Sequence, residues 1–197
     1  LSVHTRGQRA INVLALLAGP KGSPEDWKSV IRWCGRFGLG EFNAGHGEEK
    51  PEAAFTDPDN RTKLDVRVAG LGSRQMLGVL AQCFAAPSSS VIMVEEPENN
   101  LHMEAQAQLP GFFADVIARG VQLIVTTHSK LLVNAMRHAV RKKKLRVDRL
   151  KIYDLDKKKG GIDVRPVDIR EDGTIPEWIP SFTKVEKKLF EEWSEEE

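Results

Sequence analysis

The strongest pattern in the chain is an apolar run that ends abruptly in acidic residues. Residues 91–94 are Val-Ile-Met-Val; they follow the turn-forming Pro-Ser-Ser-Ser of 87–90 and lead directly into Glu95 and Glu96. Such a run is typical of a strand buried on both faces of a parallel sheet, and ligands of open α/β sheets bind beyond the carboxyl ends of these strands. Two neighbouring carboxylates there suit a divalent metal ion and a water that must lose a proton. The alternative is a strand that ends in a solvated acidic turn.

A second run of the same kind follows about thirty residues later. Residues 122–125 are Gln-Leu-Ile-Val and lead through two threonines to His128, while 103–117 between the runs has helical periodicity with an expected flaw at Pro-Gly 110–111. A strand, a helix and a strand over this length predict a parallel βαβ unit. Because both strand ends then emerge at one edge of the sheet, we expect Glu96 and His128 to face one substrate.

A third element lies upstream of the first run. Apolar and charged residues alternate over 64–68, which predicts a half-exposed strand, and Gly70 and Gly72 then open the backbone. Ser73 is a suitable N-cap for the amphipathic helix that follows. Free N–H groups at a glycine-rich helix start bind anions, and the alternative is an ordinary capped helix after a turn.

The remaining segments have simpler patterns. They predict a helix that begins at Ser23 with Pro24 at its first position, a long loop or a surface insertion over 43–61, and a hairpin from 150–155 and 162–169. A turn at 172–173 and a frayed acidic tail at 191–197 follow.

Composition fits one soluble globular domain. The chain is 41% hydrophobic and 29% charged with a formal net charge of +1, so overall charge does not argue for nucleic acid or membrane as a partner. Cys34 and Cys83 fall on apolar helix faces and are expected to be buried thiols in a reducing, cytoplasmic compartment. No apolar run approaches the roughly 20 residues that span a bilayer. The basic run at 137–151 is either a solvated helix end or a nucleic-acid contact.

In this order the elements resemble the second half of an ABC-type ATPase domain, with a signature helix, a Walker B strand, a D-loop and a switch histidine. The Glu-Glu-Pro-Glu-Asn-Asn-Leu-His of 95–102 and the Thr-Thr-His-Ser of 126–129 are similar to the OLD-like, RecF-like and SMC/Rad50-like group of predicted ATPases. The resemblance covers roughly residues 70–133, and a Gly-x-Ile segment at 173–182 resembles the sheet-edge piece of the same group. It implies an α/β, P-loop NTPase fold: the C-terminal half, with a mostly parallel sheet flanked by helices and a C-terminal β-hairpin.

The resemblance also implies roles for single residues. Glu95 stands where the family places the acid, usually Asp, that organises Mg²⁺, and Glu96 matches the general base. His128 matches the switch residue that contacts the γ-phosphate of ATP. The D-loop at a dimer interface corresponds to Asn99, Asn100, Leu101 and His102, and the signature, which binds ATP in trans, corresponds to Gly70, Gly72, Ser73 and Gln75. The signature departs from the family pattern, because aligning Gln75 places Gly72 rather than Ser73 at the serine position.

A phosphate loop of the Gly-x-x-x-x-Gly-Lys-[Ser/Thr] type does not occur among the 197 residues. With Leu rather than Met as its first residue, the chain is expected to be the C-terminal half of a longer ATPase, inactive without its Walker A half. We divide it into a helical segment and loop at 1–63, the signature-to-switch region at 64–140, and a hairpin, edge segment and tail at 141–197.

Two function classes remain at this stage. The first is an ATP-driven switch in which two domains form a homodimer head to tail around ATP and Mg²⁺, serving DNA repair, DNA handling or phage defence with DNA or an effector nuclease as a partner. No acidic cluster of a Toprim nuclease is present in the chain itself. The second is a degenerate, non-hydrolysing scaffold that binds partners, and a transporter subunit is a third alternative.

Overall fold

The computed structural model describes residues 9–48, 50–177 and 179–194. The chain divides into two compact units, Leu1–Leu132 and Val133–Glu197.

Helices and three short sheets make up the described chain. Its elements in order are α1 (Ala10–Ala18), α2 (Pro24–Arg36), β1 (Gly40–His46), β2 (Pro51–Thr56), β3 (Lys63–Asp65), a 3-10 turn (Val66–Val68), α3 (Leu71–Ala85), β4 (Val91–Glu95), α4 (Met103–Ala118), β5 (Gln122–Thr126), α5 (Lys130–Arg141), a second 3-10 turn (Val147–Arg149), β6 (Ile152–Lys158), β7 (Gly161–Val167) and α6 (Pro180–Ser194). None of these helices is both long and apolar enough to cross a membrane.

The sheets are more antiparallel than the sequence pattern predicted. Within the described chain, β4 and β5 form the one parallel pair, whereas β1-β2-β3 and β6-β7 are antiparallel. The expectation of a mostly parallel sheet is therefore wrong for these residues. The physical reason is the length of the connections, because β4 and β5 are joined through α4 while β1-β2 and β6-β7 are joined by short turns that permit only antiparallel pairing.

An aromatic cluster forms the core of the first unit. Phe112 of α4 is fully buried, and four other rings lie around it, with centroid distances of 5.6–6.3 Å. These rings belong to Trp33, Phe37, Phe84 and Phe113. The cluster joins α2, α3 and α4, and α4 is the helix that connects the two parallel strands.

The helix predictions hold with two exceptions. The Ser23 hydroxyl accepts a hydrogen bond from Asp26 N at 3.4 Å at the start of α2, as predicted. Cys34 and Cys83 are free and buried on their helices, as predicted. Burial raises the pKa of both thiols, and it raises that of Cys83 to about 12. The expected flaw at 110–111 is wrong, because α4 runs through it without a break. Pro110 is buried in the core and a Cβ on Gly111 would lie 3.2 Å from Trp33, so close packing maintains the helix there.

The second exception is Ser73, which does not cap α3. Gly70 occupies the N-cap position, α3 begins at Leu71, and Ser73 lies within its first turn. The preceding strand is also shorter than predicted, because β3 ends at Asp65 and a 3-10 turn follows in which the Asp65 carboxylate accepts a hydrogen bond from Arg67 N at 2.8 Å.

The long loop predicted at 43–61 is wrong. This segment contains most of β1 and all of β2, which pair in antiparallel register from Asn43↔Ala54 to His46↔Pro51. Its inward positions alternate as a strand requires, with Ala44, Ala53 and Phe55 buried. Two of these three side chains are alanines, which are only weakly hydrophobic, so the sequence does not show the two-residue alternation of a strand. Pro51 is the first residue of β2, a position at which proline is tolerated.

The strand β4 is buried on one face rather than on both. Ile92 is 4% exposed, whereas Val91 and Met93 are 57% and 75% exposed, and Ile124 of β5, the register partner of Met93, is 46% exposed. The described elements of the first unit therefore cover the face of β4-β5 that carries Ile92 and leave the other to solvent.

The second unit contains the predicted hairpin. β6 and β7 pair from Ile152↔Val167 to Lys158↔Gly161, and Gly173 has the left-handed φ of 77° that the predicted turn requires. A small cluster of Val133, Ile175 and Ile179 packs against the hairpin residues Ile152 and Val167. Trp178 of the edge segment and Glu195 to Glu197 of the tail lie outside the described residues, and α6 extends through the rest of the predicted tail.

Candidate active site at the β4 and β5 strand ends

The parallel register of β4 and β5 brings their carboxyl ends to one edge. Glu95 is the partner of Thr126, and Glu96 N donates a hydrogen bond to Thr126 O at 2.9 Å, which extends the pairing one residue beyond the strand. The side chains that follow both strands consequently lie at the same edge of the first unit.

Glu96 and His128 are neighbours at this edge. His128 Nε2 lies 3.6 Å from Glu96 Oε1, and the two side chains are 93% and 38% exposed. The expectation that the two side chains would lie together is therefore met, and the roles given to each remain predictions. A group bound at this edge can contact both side chains without further rearrangement of the backbone.

The Glu96 carboxylate is oriented by the residues that follow it. The Asn99 amide donates from Nδ2 to Glu96 Oε2, and Asn99 N donates to Glu96 O at 3.0 Å. The backbone of Glu96 has a φ of 42°, in the left-handed region that non-glycine residues rarely adopt. Such conformations cost on the order of 1–3 kcal/mol and cluster at functional sites, where the surrounding contacts maintain them.

The predicted D-loop packs on the predicted signature helix of the same chain. A Cβ added to Gly72 would lie 2.2 Å from Asn100 O and 3.0 Å from a methyl carbon of Leu101. Asn100 has a φ of 61°, and its Nδ2 donates to Gln75 Oε1 at 3.4 Å. Gly72 therefore allows an approach between loop and helix that no other residue type would permit.

Among the signature residues, Gly70 is exposed at the N-cap of α3 and Gly72 is buried. The Ser73 hydroxyl donates to Phe37 O at 2.7 Å and so points into the protein. Gln75 is half-buried and accepts the Asn100 hydrogen bond. The exposed start of α3 is apolar, since Val68 and Leu71 are 67% and 58% exposed.

The last two D-loop residues have structural contacts of their own. His102 is the N-cap of α4, and its Nδ1 accepts from Glu104 N at 3.5 Å. Leu101 O accepts from Gln106 Nε2 at 2.9 Å. These contacts connect the D-loop to the start of α4 and explain its fixed path.

Two residues at this site were missed by sequence reasoning. Glu98 is a carboxylate only 5% exposed, and the Thr127 hydroxyl donates to its Oε1. Thr127 Oγ1 in turn accepts from Ser129 N at 2.9 Å. The available signal was the acid directly after Pro97 in Glu-Glu-Pro-Glu, but the sequence does not show that this side chain turns inward.

The acidic edge has donors of the kind that Mg²⁺ binds. Glu95 is exposed at the end of β4, opposite Thr126 and directly before Glu96 in sequence. Mg²⁺ usually takes one or two protein carboxylates and completes its coordination with water and substrate phosphates. No group of three or more His, Cys, Asp or Glu side chains arranged to hold a metal ion occurs in the part of the chain that the structure describes. The exposed Glu95 carboxylate is chemically suited to be one protein ligand of such a metal.

Solved structures with a similar fold include SMC ATPases and SMC head domains. One, from structural biochemistry of the ATP-driven dimerization and DNA-stimulated activation of SMC ATPases, has a TM-score of 0.54 at 12% identity over 92% of this chain and 93% of that one. An SMC head bound to the C-terminal winged-helix domain of ScpA has a TM-score of 0.56 at 11% identity, and the match covers 86% of this chain and 53% of that one. The SMC head of Pyrococcus yayanosii with a coiled coil and joint has a TM-score of 0.51 at 13% identity, and the match covers 82% of this chain and 28% of that one.

These likenesses establish the fold, and the chain spans about half or less of two of the three proteins. No curated protein matches the sequence. A family model does match, over residues 11–134, which include the predicted signature helix, both strand ends and the switch histidine. The chain belongs to the family described as "AAA domain, putative AbiEii toxin, Type IV TA system".

Proposed function

We propose that this chain carries the catalytic base and the γ-phosphate contact of an ABC-type ATPase that hydrolyses ATP. The observation that supports this most directly is the 3.6 Å separation of Glu96 Oε1 and His128 Nε2 at the carboxyl edge of a parallel strand pair. Ligands of α/β sheets bind at such edges. Family membership and the SMC-head fold agree with the proposal.

Glu96 is suited to orient and deprotonate a water. Its Oε2 is engaged by the Asn99 amide, while Oε1 faces the exposed side where His128 lies. One oxygen therefore holds the carboxylate in place and the other is directed toward a reacting water. A positioned base of this kind contributes typically 10²–10⁴-fold to a rate.

Glu95 is the proposed ligand of Mg²⁺. The metal would arrive with ATP, neutralise charge on the phosphates and leave Glu96 to act on the water. His128 would then donate a hydrogen bond to the γ-phosphate from the same edge.

The signature and D-loop residues are proposed to meet a second copy. Val68 and Leu71 are exposed apolar side chains beside Gly70, which suits a surface that becomes covered when two ATPase domains close head to tail around ATP. ATP-driven dimerization is described for SMC ATPases, to which one of the similar structures belongs. In this arrangement Gly70, Gln75 and the D-loop of one copy complete the site of the other.

A phosphate loop must come from another segment, on the same or another polypeptide, because none of the 197 residues forms one. The proposed group is the OLD-like, RecF-like and SMC/Rad50-like one, with a task in DNA repair, DNA handling or phage defence and with DNA or an effector nuclease as partner. Part of the basic run is already paired internally, since Arg146 Nη2 lies 2.7 Å from Asp148 Oδ2, and this pairing weakens the argument for direct DNA contact.

One observation favours the second candidate, a non-hydrolysing scaffold. The Ser73 hydroxyl is used by Phe37 O, so the signature presents no serine hydroxyl to a phosphate. Backbone N–H groups at the start of α3 are then the remaining donors for ATP.

The experiment is ATP hydrolysis by the Glu96→Gln variant of the ATPase that includes the phosphate loop. Gln keeps the size and the Asn99 contact but cannot take a proton, so kcat should fall roughly 10²–10⁴-fold while ATP binding persists and the ATP-bound dimer accumulates. Glu171→Gln, at an exposed position in the second unit, is the matched control and should behave as the unmodified protein.

The two candidates predict different results. Saturable hydrolysis by the unmodified ATPase together with loss in Glu96→Gln supports the ATPase, whereas no hydrolysis by the unmodified protein supports the scaffold. An unchanged rate in Glu96→Gln excludes Glu96 as the base. The 197-residue chain by itself should show no nucleotide turnover, and turnover there would contradict the need for a separate phosphate loop.

A further inference from the structure

A buried carboxylate lies behind the Glu96–His128 pair, and the mechanism proposed above does not use it. Glu98 is 5% exposed, although a carboxylate is among the side chains least often buried without a specific partner. Its Oε1 accepts a hydrogen bond from the Thr127 hydroxyl, a contact between the segment after β4 and the segment after β5. The buried Glu98 carboxylate therefore connects the two strand ends through its hydrogen bond with Thr127.

The Thr127 hydroxyl extends this link into the backbone around His128. Its Oγ1 accepts from Ser129 N at 2.9 Å while its proton is donated to Glu98. Ser129 Oγ in turn accepts from Leu132 N at 3.1 Å in the first turn of α5. A continuous path of hydrogen bonds thus runs from Glu98 through Thr127 and Ser129 into α5, with His128 between the two hydroxyl residues.

Packing does not fix the His128 side chain, because that side chain is 93% exposed. Its position opposite Glu96 must therefore be set by the backbone from Thr127 to Ser129. Thr127 Oγ1 restrains this backbone by accepting from Ser129 N, and the Glu98 carboxylate orients the Thr127 hydroxyl. Ser129 Oγ adds contacts with Leu132 N and with Gln106 Oε1.

The sequence order strengthens the geometric argument. Glu98 follows Glu96 by two residues, and Pro97 between them is fully buried. The base on one strand end and the anchor for the histidine on the other therefore belong to one tetrapeptide, Glu-Glu-Pro-Glu, whose proline and last glutamate are buried. Any shift of this tetrapeptide moves Glu96 and the His128 loop together.

We propose that Glu98 and Thr127 are positioning residues that hold His128 against Glu96 for attack on the γ-phosphate. The inference rests on the proposed function of His128, and neither residue touches the reacting atoms. Removal of the Thr127 hydroxyl leaves Glu98 Oε1 without its donor and Ser129 N without its acceptor, so His128 loses its fixed position while its chemistry is unchanged.

The first test compares Thr127→Val with Thr127→Ser in the ATPase that includes the phosphate loop. Val has nearly the shape of Thr without the hydroxyl, and kcat should fall roughly 10- to 100-fold, as small misplacements of reacting groups do, with little change in KM. Ser restores the hydroxyl and should return kcat to near the unmodified value. Thr62→Val, an exposed loop position, is the matched control. Equal losses in the Val and Ser variants would overturn the inference.

The second test asks whether Thr127 acts through His128. In a His128→Ala background, Thr127→Val should cause no further loss of kcat, because the group it positions is already absent. A further loss equal to that of the single variant would overturn the inference, since Thr127 would then act independently of His128.

A third measurement needs no activity. In the protein without nucleotide, hydrogen exchange at the Ser129 amide should accelerate on the order of fivefold to tenfold in Thr127→Val and remain slow in Thr127→Ser. Unchanged exchange in Thr127→Val would overturn the hydrogen-bond path even if hydrolysis is never detected. Altered exchange together with full hydrolysis by His128→Ala would instead reject the role of His128 in the proposed function.

Discussion

Replacing Gly72 by alanine tests the packing of the D-loop on the signature helix. The new Cβ would lie 2.2 Å from Asn100 O and 2.7 Å from Asn100 C, distances that real Cβ atoms do not show. Both contacts are with backbone, so no flexible side chain can move aside. The loop of Asn100 and Leu101 must shift away from α3.

The expected magnitude combines two opposing effects. Overpacking of this kind costs about 1–3 kcal/mol, and replacing glycine inside a helix recovers about 0.5–1 kcal/mol of backbone entropy. The free energy of unfolding should therefore fall by about 1–2 kcal/mol. Gly35→Ala is the matched control, because Gly35 is exposed in α2 and a Cβ there meets nothing within 4 Å. That variant should gain about 0.5–1 kcal/mol.

Urea unfolding followed by tryptophan fluorescence measures both changes, since Trp33 lies in the aromatic core of the first unit. With a slope of about 2 kcal/mol per M, in the middle of the usual range, the midpoint should move down by roughly 0.5–1 M in Gly72→Ala and slightly up in Gly35→Ala. Equal stabilisation of the two variants would refute the close approach of Asn100 to α3. An unchanged urea midpoint in Gly72→Ala together with slower ATP hydrolysis would mean that the loop of Asn100 and Leu101 has moved away from α3 without a loss of stability.

Two further predictions concern stability. Hydrogen bonds from Arg67 lower the pKa of Asp65 to about 2, below the value near 3.9 expected in an unfolded chain, so the stability that Asp65 contributes is present above about pH 4 and is lost as the pH falls toward 2. Asp65→Asn should therefore be less stable than the unmodified protein at pH 7 and should lose less stability between pH 4 and pH 2. Parallel curves of unfolding free energy against pH for the two proteins would contradict this. Phe112→Ala should lower the unfolding free energy by about 3–5 kcal/mol, whereas Phe190→Ala, which removes a side chain 70% exposed, should change it by less than about 0.5 kcal/mol.

The parallel βαβ unit was predictable because its signals are local and redundant. Two apolar runs, a helical period between them and polar strand ends all required the same topology, and together they placed Glu96 beside His128. The sheet at 40–56 was not predictable in this way. Its inward side chains include Ala44 and Ala53, and the pairing of β1 with β2 buries them where the one-dimensional pattern shows only a polar, glycine-containing stretch.

At the site itself, residue types could be predicted but their directions could not. Ser73 is an excellent cap by type, yet Phe37 O lies within 2.7 Å and the hydroxyl turns inward to it, a tertiary contact 36 residues away in sequence. Glu98 is likewise an acid in a polar segment, which by composition alone would be placed in solvent. Its burial depends on Thr127, 29 residues later, and only the fold brings these two side chains together.

The backbone of Glu96 bears on the choice between a catalytic site and a scaffold. A left-handed φ of 42° at a glutamate costs on the order of 1–3 kcal/mol, and glycine at this position would remove the cost. Left-handed φ values also occur at Glu41, Arg61, Ser89 and Lys143, which do not belong to these strand ends, so strain by itself does not distinguish a catalytic site from a scaffold. The strain places Glu96 Oε1 opposite His128 at the exposed edge, and an attacking water needs an acceptor there. The position of Glu96 Oε1 opposite His128 therefore supports hydrolysis over the scaffold, even though the Ser73 hydroxyl is turned away.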